Sequence, residues 1–60
     1  MNNTRAWEIL RNDMDTNKTE IYKMMHTDDE EIPKNFCKRF NAFANRNDFM
    51  THYFYREKQK

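Results

Sequence analysis

The sequence predicts an all-α protein folded as an antiparallel two-helix hairpin. Apolar residues recur every three or four positions in each half of the chain, which is the spacing of one helix face. Pro33, the single proline, separates the two halves. Because proline is tolerated in the first turn of a helix but not in its interior, we expect the chain to turn near Pro33. One small domain is expected over residues 1–60.

The first predicted helix spans about residues 4–26. Thr4 is a suitable N-cap, because its hydroxyl can accept a bond from a free backbone N–H group of the first turn. The apolar stripe skips one turn at Asn17 and consists of Trp7, Leu10, Met14, Ile21 and Met24. Residues 15–18 are its weakest segment, since Asp, Thr and Asn side chains compete for backbone hydrogen bonds.

The second predicted helix spans about residues 34–57. Its stripe consists of Phe36, Phe40, Phe43, Met50 and Phe54, with Asn47 at a position where the period requires an apolar residue. A break at residues 45–47 is the competing prediction, because Asn47 is also a good N-cap for a short last helix. That break would convert the hairpin into a compact three- or four-helix unit.

The two asparagines define an expected register. An antiparallel pairing with its turn at residues 32 and 33 places Asn17 opposite Asn47, where the two amides could bond each other. Such a pair fixes helix register at some cost in stability. The competing interpretation is that both asparagines lie in exposed breaks between shorter helices.

Charge and chain length indicate an interaction protein. Positions 1–32 carry eight acidic and four basic residues, a balance of −4, whereas positions 33–60 carry seven basic and two acidic residues, a balance of +5. This asymmetry favours one half folding onto the other, or a polarised surface that attracts a charged partner. A chain of 60 residues also buries only ~60% of its unfolded surface, so a protein partner or a homodimer is expected.

Several function classes lack their sequence signals. The chain has no glycine and hence no phosphate-binding loop. Residues 13–24 begin like a calcium loop but have Lys18 and Met24 where glycine and glutamate are required. His26, Cys37 and His52 are not at zinc-ligand spacing. We therefore expect no enzyme activity, catalytic residue, metal, cofactor or small-molecule substrate.

The expected location is cytoplasmic. A single cysteine, Cys37, suits a reducing compartment because it cannot form an internal disulfide. No apolar stretch approaches the ~20 residues of a membrane span, and the first residues do not resemble a secretory signal. We therefore expect no contact with membranes.

The predicted function is that of a small non-enzymatic protein that binds and modulates a larger protein. The second helix would present a face of aromatic and basic residues that the hairpin cannot cover: Arg46, Phe49, Tyr53, Tyr55 and Arg56. The competing interpretation is that these aromatic residues close a compact helical monomer. The composition is typical of small accessory proteins of phages or mobile elements.

Two further partners are compatible with the charge pattern. Nucleic acid is the alternative, with phosphate contacts from Lys34, Lys38, Arg39, Lys58 and Lys60 and with bases stacked on the aromatic residues. The nearly neutral net charge of +1 weakens this hypothesis. The acidic segment at residues 28–31 could instead occupy a basic groove of a partner, as a charged mimic.

Overall fold

The computed structural model describes residues 4–58 and shows an α+β fold, so the predicted all-α hairpin is wrong. Strand accounts for 44% and helix for 29% of these residues. The elements in chain order are β1 (Ala6–Asp13), β2 (Lys18–His26), α1 (Glu31–Arg46) and β3 (Thr51–Glu57). The strands form one sheet in the order β2-β1-β3, and β1 pairs antiparallel with both neighbours.

The segment predicted as the first helix is a β-hairpin. Its first strand is central in the sheet and buried on both faces, so Trp7, Ile9 and Leu10 are all less than 6% exposed. A strand buried on both faces is apolar at neighbouring positions and loses the alternation of a half-exposed strand. Short apolar runs of this kind cannot be assigned to helix or strand from periodicity alone.

Asn17 lies in the hairpin turn and not in a helical core. Asp13 pairs with Lys18 across the turn, and Asn17 between them has φ 58°, in the left-handed region that asparagine tolerates better than most residues. The Asp13 carboxylate accepts a hydrogen bond from the backbone N–H of Asp15 at 3.0 Å. The Asn47 amide donates to the Phe43 carbonyl at 2.8 Å, so the predicted pairing of the two asparagines is not formed.

The helix begins close to its predicted start but ends eleven residues early, at Arg46 where about residue 57 was expected. At its N-terminus the Asp29 carboxylate accepts a bond from the Glu31 N–H at 3.0 Å, and Pro33 lies buried in the first turn. The predicted continuity of the second helix through residues 45–47 is wrong. The competing break coincides with the helix end, but strand β3 follows where a short helix was expected.

A Schellman motif ends α1. The N–H of Phe49 donates to the Ala44 carbonyl at 2.9 Å and that of Asp48 to the Asn45 carbonyl at 3.4 Å. Asp48 has φ 59°, the left-handed conformation that this motif requires. The Phe43 and Phe49 rings lie 6.0 Å apart and supply the apolar contact that commonly accompanies the motif. The ring of Phe49 therefore has a structural role at the helix end.

We expect Asp48→Gly to raise the free energy of unfolding by about 0.5–1 kcal/mol. Glycine adopts positive φ without strain, and the substitution also removes an acid from the negative end of the helix dipole. Urea denaturation of the two proteins measures the change. Asp48→Asn separates the two causes, since it removes only the charge. A loss of stability in Asp48→Gly would contradict the assignment of Asp48 to the left-handed position.

One helix covers one face of the sheet and packs mainly against β3, with a smaller contact to β1. The buried residues on this side are Trp7, Ile9, Pro33, Cys37 and Ala44. Trp7 is also fixed by a hydrogen bond from its indole N–H to the Thr27 carbonyl at 2.8 Å. Within the described residues, no helix has the length and apolar content to cross a bilayer.

The two edges of the sheet differ. On the β3 edge, the side-chain amide of Asn41 donates to the Tyr53 carbonyl at 2.8 Å and accepts from the Tyr53 N–H at 2.7 Å. A side chain of α1 thus pairs with the outer backbone groups of Tyr53 as a neighbouring strand would. Strand β2 forms the opposite edge and has β1 as its single neighbour in the described sheet.

Candidate functional site

The residues predicted to form one partner-binding face lie on different elements. Arg46 ends α1, Phe49 belongs to the turn after it, and the other three are in β3. Tyr53 and Tyr55 are half-buried on the helix side of the sheet. Arg56 is on the opposite side, where its guanidinium donates to the Glu8 carboxylate at 2.7 Å. The single aromatic and basic face expected from helical periodicity is therefore not present.

The two tyrosines of that set have contacts within the molecule. The Tyr53 ring lies 5.2 Å from that of Phe40, and the Tyr55 ring lies 5.8 Å from that of Trp7. The Tyr55 hydroxyl donates to the Glu30 carboxylate at 2.9 Å, and this hydrogen bond raises the pKa of Tyr55. These contacts tie β3 to α1 and to the loop before it.

The residues predicted to contact nucleic acid are also dispersed. Lys34, Lys38 and Arg39 are exposed on α1, and Lys34 lies 3.8 Å from the Glu31 carboxylate. Lys58 follows β3 and is held by a backbone bond to Ala6 at 2.8 Å. Lys60 lies outside the described residues.

Apolar side chains that are exposed or half-buried also line a groove between α1 and β2. We define the aromatic groove by five residues: Tyr22, Ile32, Phe36, Phe40 and Phe43. The four helical members are spaced by four, four and three positions, so they follow one side of α1. The groove exists because α1 packs over β3 and β1 and leaves the strip above β2 uncovered.

A β-bulge brings Tyr22 into the groove. In the register with β1, Ile9 faces Lys23 and Leu10 faces Ile21, so Tyr22 is an extra residue in β2. Its ring lies 6.3 Å from Phe36 and 5.7 Å from Phe40. A bulge re-aims the side chain at the inserted position, and here it adds a ring to the helix side of the sheet.

The rings of the groove contact one another but remain accessible. Phe36 and Phe40 are stacked with their centroids 4.2 Å apart. Tyr22 is 45% exposed, Ile32 49% and Phe43 60%. Two adjoining depressions of about 420 and 430 Å³ lie along this side of α1, and both are lined by Arg39 and Phe40. A groove of this kind can receive the apolar side chains of another molecule.

Basic side chains border the groove. The Lys23 ammonium lies 5.5 Å from the centre of the Phe36 ring, and the Arg11 guanidinium lies 5.8 Å from that of Tyr22. Arg39 lines both depressions. Arg11 also forms an ion pair with Glu20 at 2.7 Å, and Glu20 is the single acidic residue of strand β2. The border is thus more basic than acidic.

The other candidate reactive groups are the side chains that could ligate a metal and the thiol of Cys37. Among the described residues there is no cluster of three or more His, Cys, Asp or Glu side chains that could hold a metal ion. Cys37 is buried, and desolvation raises the pKa of its thiol, so it stays in the poorly nucleophilic protonated form.

Comparisons with known proteins do not identify the chain. No family model matches it, and no significant similarity is found to a curated protein or to a solved structure. The geometry of the groove and of the sheet is therefore the basis on which a function can be inferred.

The sequence indicates part of this groove. The spacing of Phe36, Phe40 and Phe43 marks one helix face, although that face was expected to pack against another helix. Tyr22 was missed, because a bulge leaves no mark on sequence periodicity. The signal for Ile32 was present in its spacing of four from Phe36, but the following proline favoured a break there.

Proposed function

We propose that this is a non-enzymatic interaction protein that binds an acidic amphipathic helix of a larger protein in the aromatic groove. The observation that supports the proposal is the incomplete cover of the sheet. One helix shields the β3 side, and the aromatic groove above β2 leaves Tyr22, Ile32 and Phe43 about half exposed. Contiguous exposed apolar surface with a polar rim is typical of binding sites.

A helix is the occupant that suits the shape of the groove. Helices that pack side by side on a sheet are roughly 8–10 Å apart, and a helix with its side chains is roughly 10–12 Å wide. The strip above β2 beside α1 is where a second helix of a two-layer fold would lie. A partner helix would present apolar residues at positions i, i+3, i+4 and i+7 to the rings, as other groove-binding helices do.

The charge of the border favours an acidic partner. Lys23, Arg39 and Arg11 surround the rings, and carboxylates on the flanks of a partner helix would pair with them. Charge complementarity of this kind contributes mainly to association rate and selectivity. The binding energy would come from the rings, with on the order of 1 kcal/mol for each half-exposed side chain that the partner covers.

The expected effect of binding is modulation of the larger protein. A helix held in the groove would no longer be free for its other contacts, so occupation of the helix would change what that protein does. The expected location remains a reducing, cytoplasmic compartment, which the lone thiol of Cys37 supports.

Fluorescence anisotropy with a labelled probe peptide tests the proposal. The probe is a designed amphipathic helix of about five turns with leucines on one face and glutamates on its flanks. We expect it to bind at least about fivefold more tightly than the same peptide with lysine in place of glutamate. Ile32→Ser is expected to weaken binding about tenfold, because it removes an apolar wall of the groove.

Ile21→Ser is the matched control. Ile21 is 52% exposed, nearly the same as Ile32, but lies on the face of the sheet opposite α1. We expect this variant to bind the probe within about twofold of the unmodified protein. Equal effects of the two substitutions, or equal binding of the acidic and basic peptides, would refute the groove proposal. Salt-dependent displacement of the probe by oligothymidine would favour the nucleic-acid alternative in its place.

A further inference from the structure

We propose that the protein forms a homodimer by antiparallel pairing of β2 with β2 of a second copy. This inference does not depend on the proposed function, because it concerns the backbone edge of β2, although Lys23 belongs both to this edge and to the border of the groove. It rests on two features. Backbone groups of the β3 edge are bonded by a side chain of α1 whereas those of the β2 edge are not, and the β2 bulge makes the charges along the open edge complementary to those of a second copy.

The difference between the edges points to β2. On β3, Asn41 occupies the outer backbone groups of Tyr53 with bonds of 2.7 and 2.8 Å. On β2, the backbone bonds to β1 on its inner side, and no other segment within residues 4–58 pairs with the outer side of its nine residues. An open strand of this length is a template for pairing with another strand. The β3 edge is thus blocked at Tyr53, whereas the β2 edge is open along its length.

The bulge places Glu20 and Lys23 on one face. Glu20 faces Arg11 and Lys23 faces Ile9 in the register with β1. Arg11 and Ile9 are two residues apart, so they share a face of the sheet, and their β2 partners share it as well. In a regular strand, residues three apart would lie on opposite faces. The inserted Tyr22 therefore brings an acid and a base of β2 onto the same side.

This arrangement makes β2 complementary to itself. An antiparallel dimer with its two-fold axis at Ile21 places Ile21 opposite Ile21 of the second copy. Because the bulged Tyr22 has no partner, the next pair on either side of the axis is Glu20 with Lys23 of the other copy. This gives two symmetry-related ion pairs. Direct cross-strand pairs of opposite charge contribute roughly 0.2–1 kcal/mol each. Arg11 already bonds one Glu20 oxygen at 2.7 Å, and the second oxygen can accept from lysine.

The remaining pairs in this register contain no like charges. Lys18 lies opposite Met25 of the second copy, and Thr19 lies opposite Met24. The dimer is a continuous six-stranded sheet in the order β3-β1-β2-β2-β1-β3. Both helices lie on the same face, and the two aromatic grooves adjoin across the central strands. The contact is small, so the dimer is expected to be weak, with Kd of about 100 μM.

Sedimentation velocity from about 10 μM to 1 mM tests the dimer and its register together. Glu20→Lys and Lys23→Glu each convert two attractive pairs into two repulsive ones, and each is expected to weaken association at least about tenfold. An equimolar mixture of the two variants restores opposite charges at every pair. We expect this mixture to form a heterodimer within about threefold of the original affinity.

Matched variants test whether the effect is specific to the β2 edge. Glu31→Lys and Lys34→Glu reverse charges of the same kind on α1, away from β2, and are expected to leave association unchanged. Ile32→Ser in the groove is also expected to leave it unchanged, which separates this proposal from the proposed function. Circular dichroism of each variant checks that the fold is retained.

The proposal is overturned by three results. The first is a protein that stays monomeric to about 1 mM, since the bulge and the lysines of β2 would then protect the edge against pairing. The second is a dimer that Glu20→Lys does not weaken. The third is an equimolar mixture of the two charge variants that fails to associate.

Discussion

Replacing Ile9 by alanine is expected to lower the free energy of unfolding by about 3 kcal/mol. Ile9 is fully buried in the middle of the central strand. The substitution removes three buried carbon atoms and leaves a cavity between the sheet and α1, where the described core has few other aliphatic side chains to fill it. Urea denaturation followed by the fluorescence of the buried Trp7 measures the loss.

Ile21→Ala makes the same chemical change at a residue of the neighbouring strand that is 52% exposed. We expect a loss of about 1 kcal/mol or less there, because little apolar surface is removed from burial. Similar losses at the two positions would contradict the assignment of Ile9 to the core. If Ile9→Ala does not fold, Ile9→Val keeps the comparison possible, with an expected loss of about 1 kcal/mol.

Replacing Asn41 by alanine is expected to cost about 2 kcal/mol. The substitution removes two hydrogen bonds and leaves the N–H and C=O groups of Tyr53 unpaired at a half-buried position. It also detaches α1 from the edge of β3. Urea denaturation gives the free energy, and hydrogen exchange of the Tyr53 amide gives a local readout, with protection expected to fall more than at β1.

Asn45→Ala is the control for this prediction. Asn45 is one turn further along α1 and exposed, so its substitution tests the effect of alanine on the helix without the edge contact. We expect it to be neutral or slightly stabilising, because alanine has the higher helix propensity. A loss at Asn45 equal to that at Asn41 would show that the edge contact contributes nothing.

Part of the helix was predicted from the sequence, because the signals for its start and its apolar side are local. Pro33 and the preceding acids mark a helix start, and the spacing of Phe36, Phe40 and Phe43 marks an apolar side. Its end was misjudged because Met50 and Phe54 continue the same spacing by coincidence. The chain has no glycine to mark the Schellman turn, and Asp48 takes the position where glycine would have signalled the stop.

The strands were missed for a physical reason. β1 is buried on both faces, and an extra residue in β2 shifts its alternation by one position. Neither strand therefore shows a clean period of two, whereas a spacing of three and four can be found through Trp7, Leu10 and Met14. Pairing with β3, some forty residues away in sequence, decides the structure of β1, and local patterns carry no record of it.

The sequence predicted that aromatic residues would form a contact surface, but not where the groove lies. The excess of aromatic residues indicated a contact surface, but its location depends on where α1 rests on the sheet. Tyr53 and Tyr55 were expected on an exposed contact surface, but both are half-buried: Tyr53 packs beneath the groove residues Phe40 and Tyr22, and Tyr55 packs against Trp7. Tyr22 lies in the groove because of the bulge, which is set by strand pairing and not by its neighbours in sequence.

The position of β1 in the sheet has a consequence for biosynthesis. β1 is made before α1, but one of its two neighbours in the sheet, β3, leaves the ribosome only after all of α1. Until then β1 and β2 can form only a two-stranded hairpin, which is marginally stable in water. The backbone groups of β1 that later pair with β3 are unpaired in that state. Pauses in translation between the codons for α1 and β3 would prolong that state, and such a stall exposes the chain to aggregation or to chaperone capture.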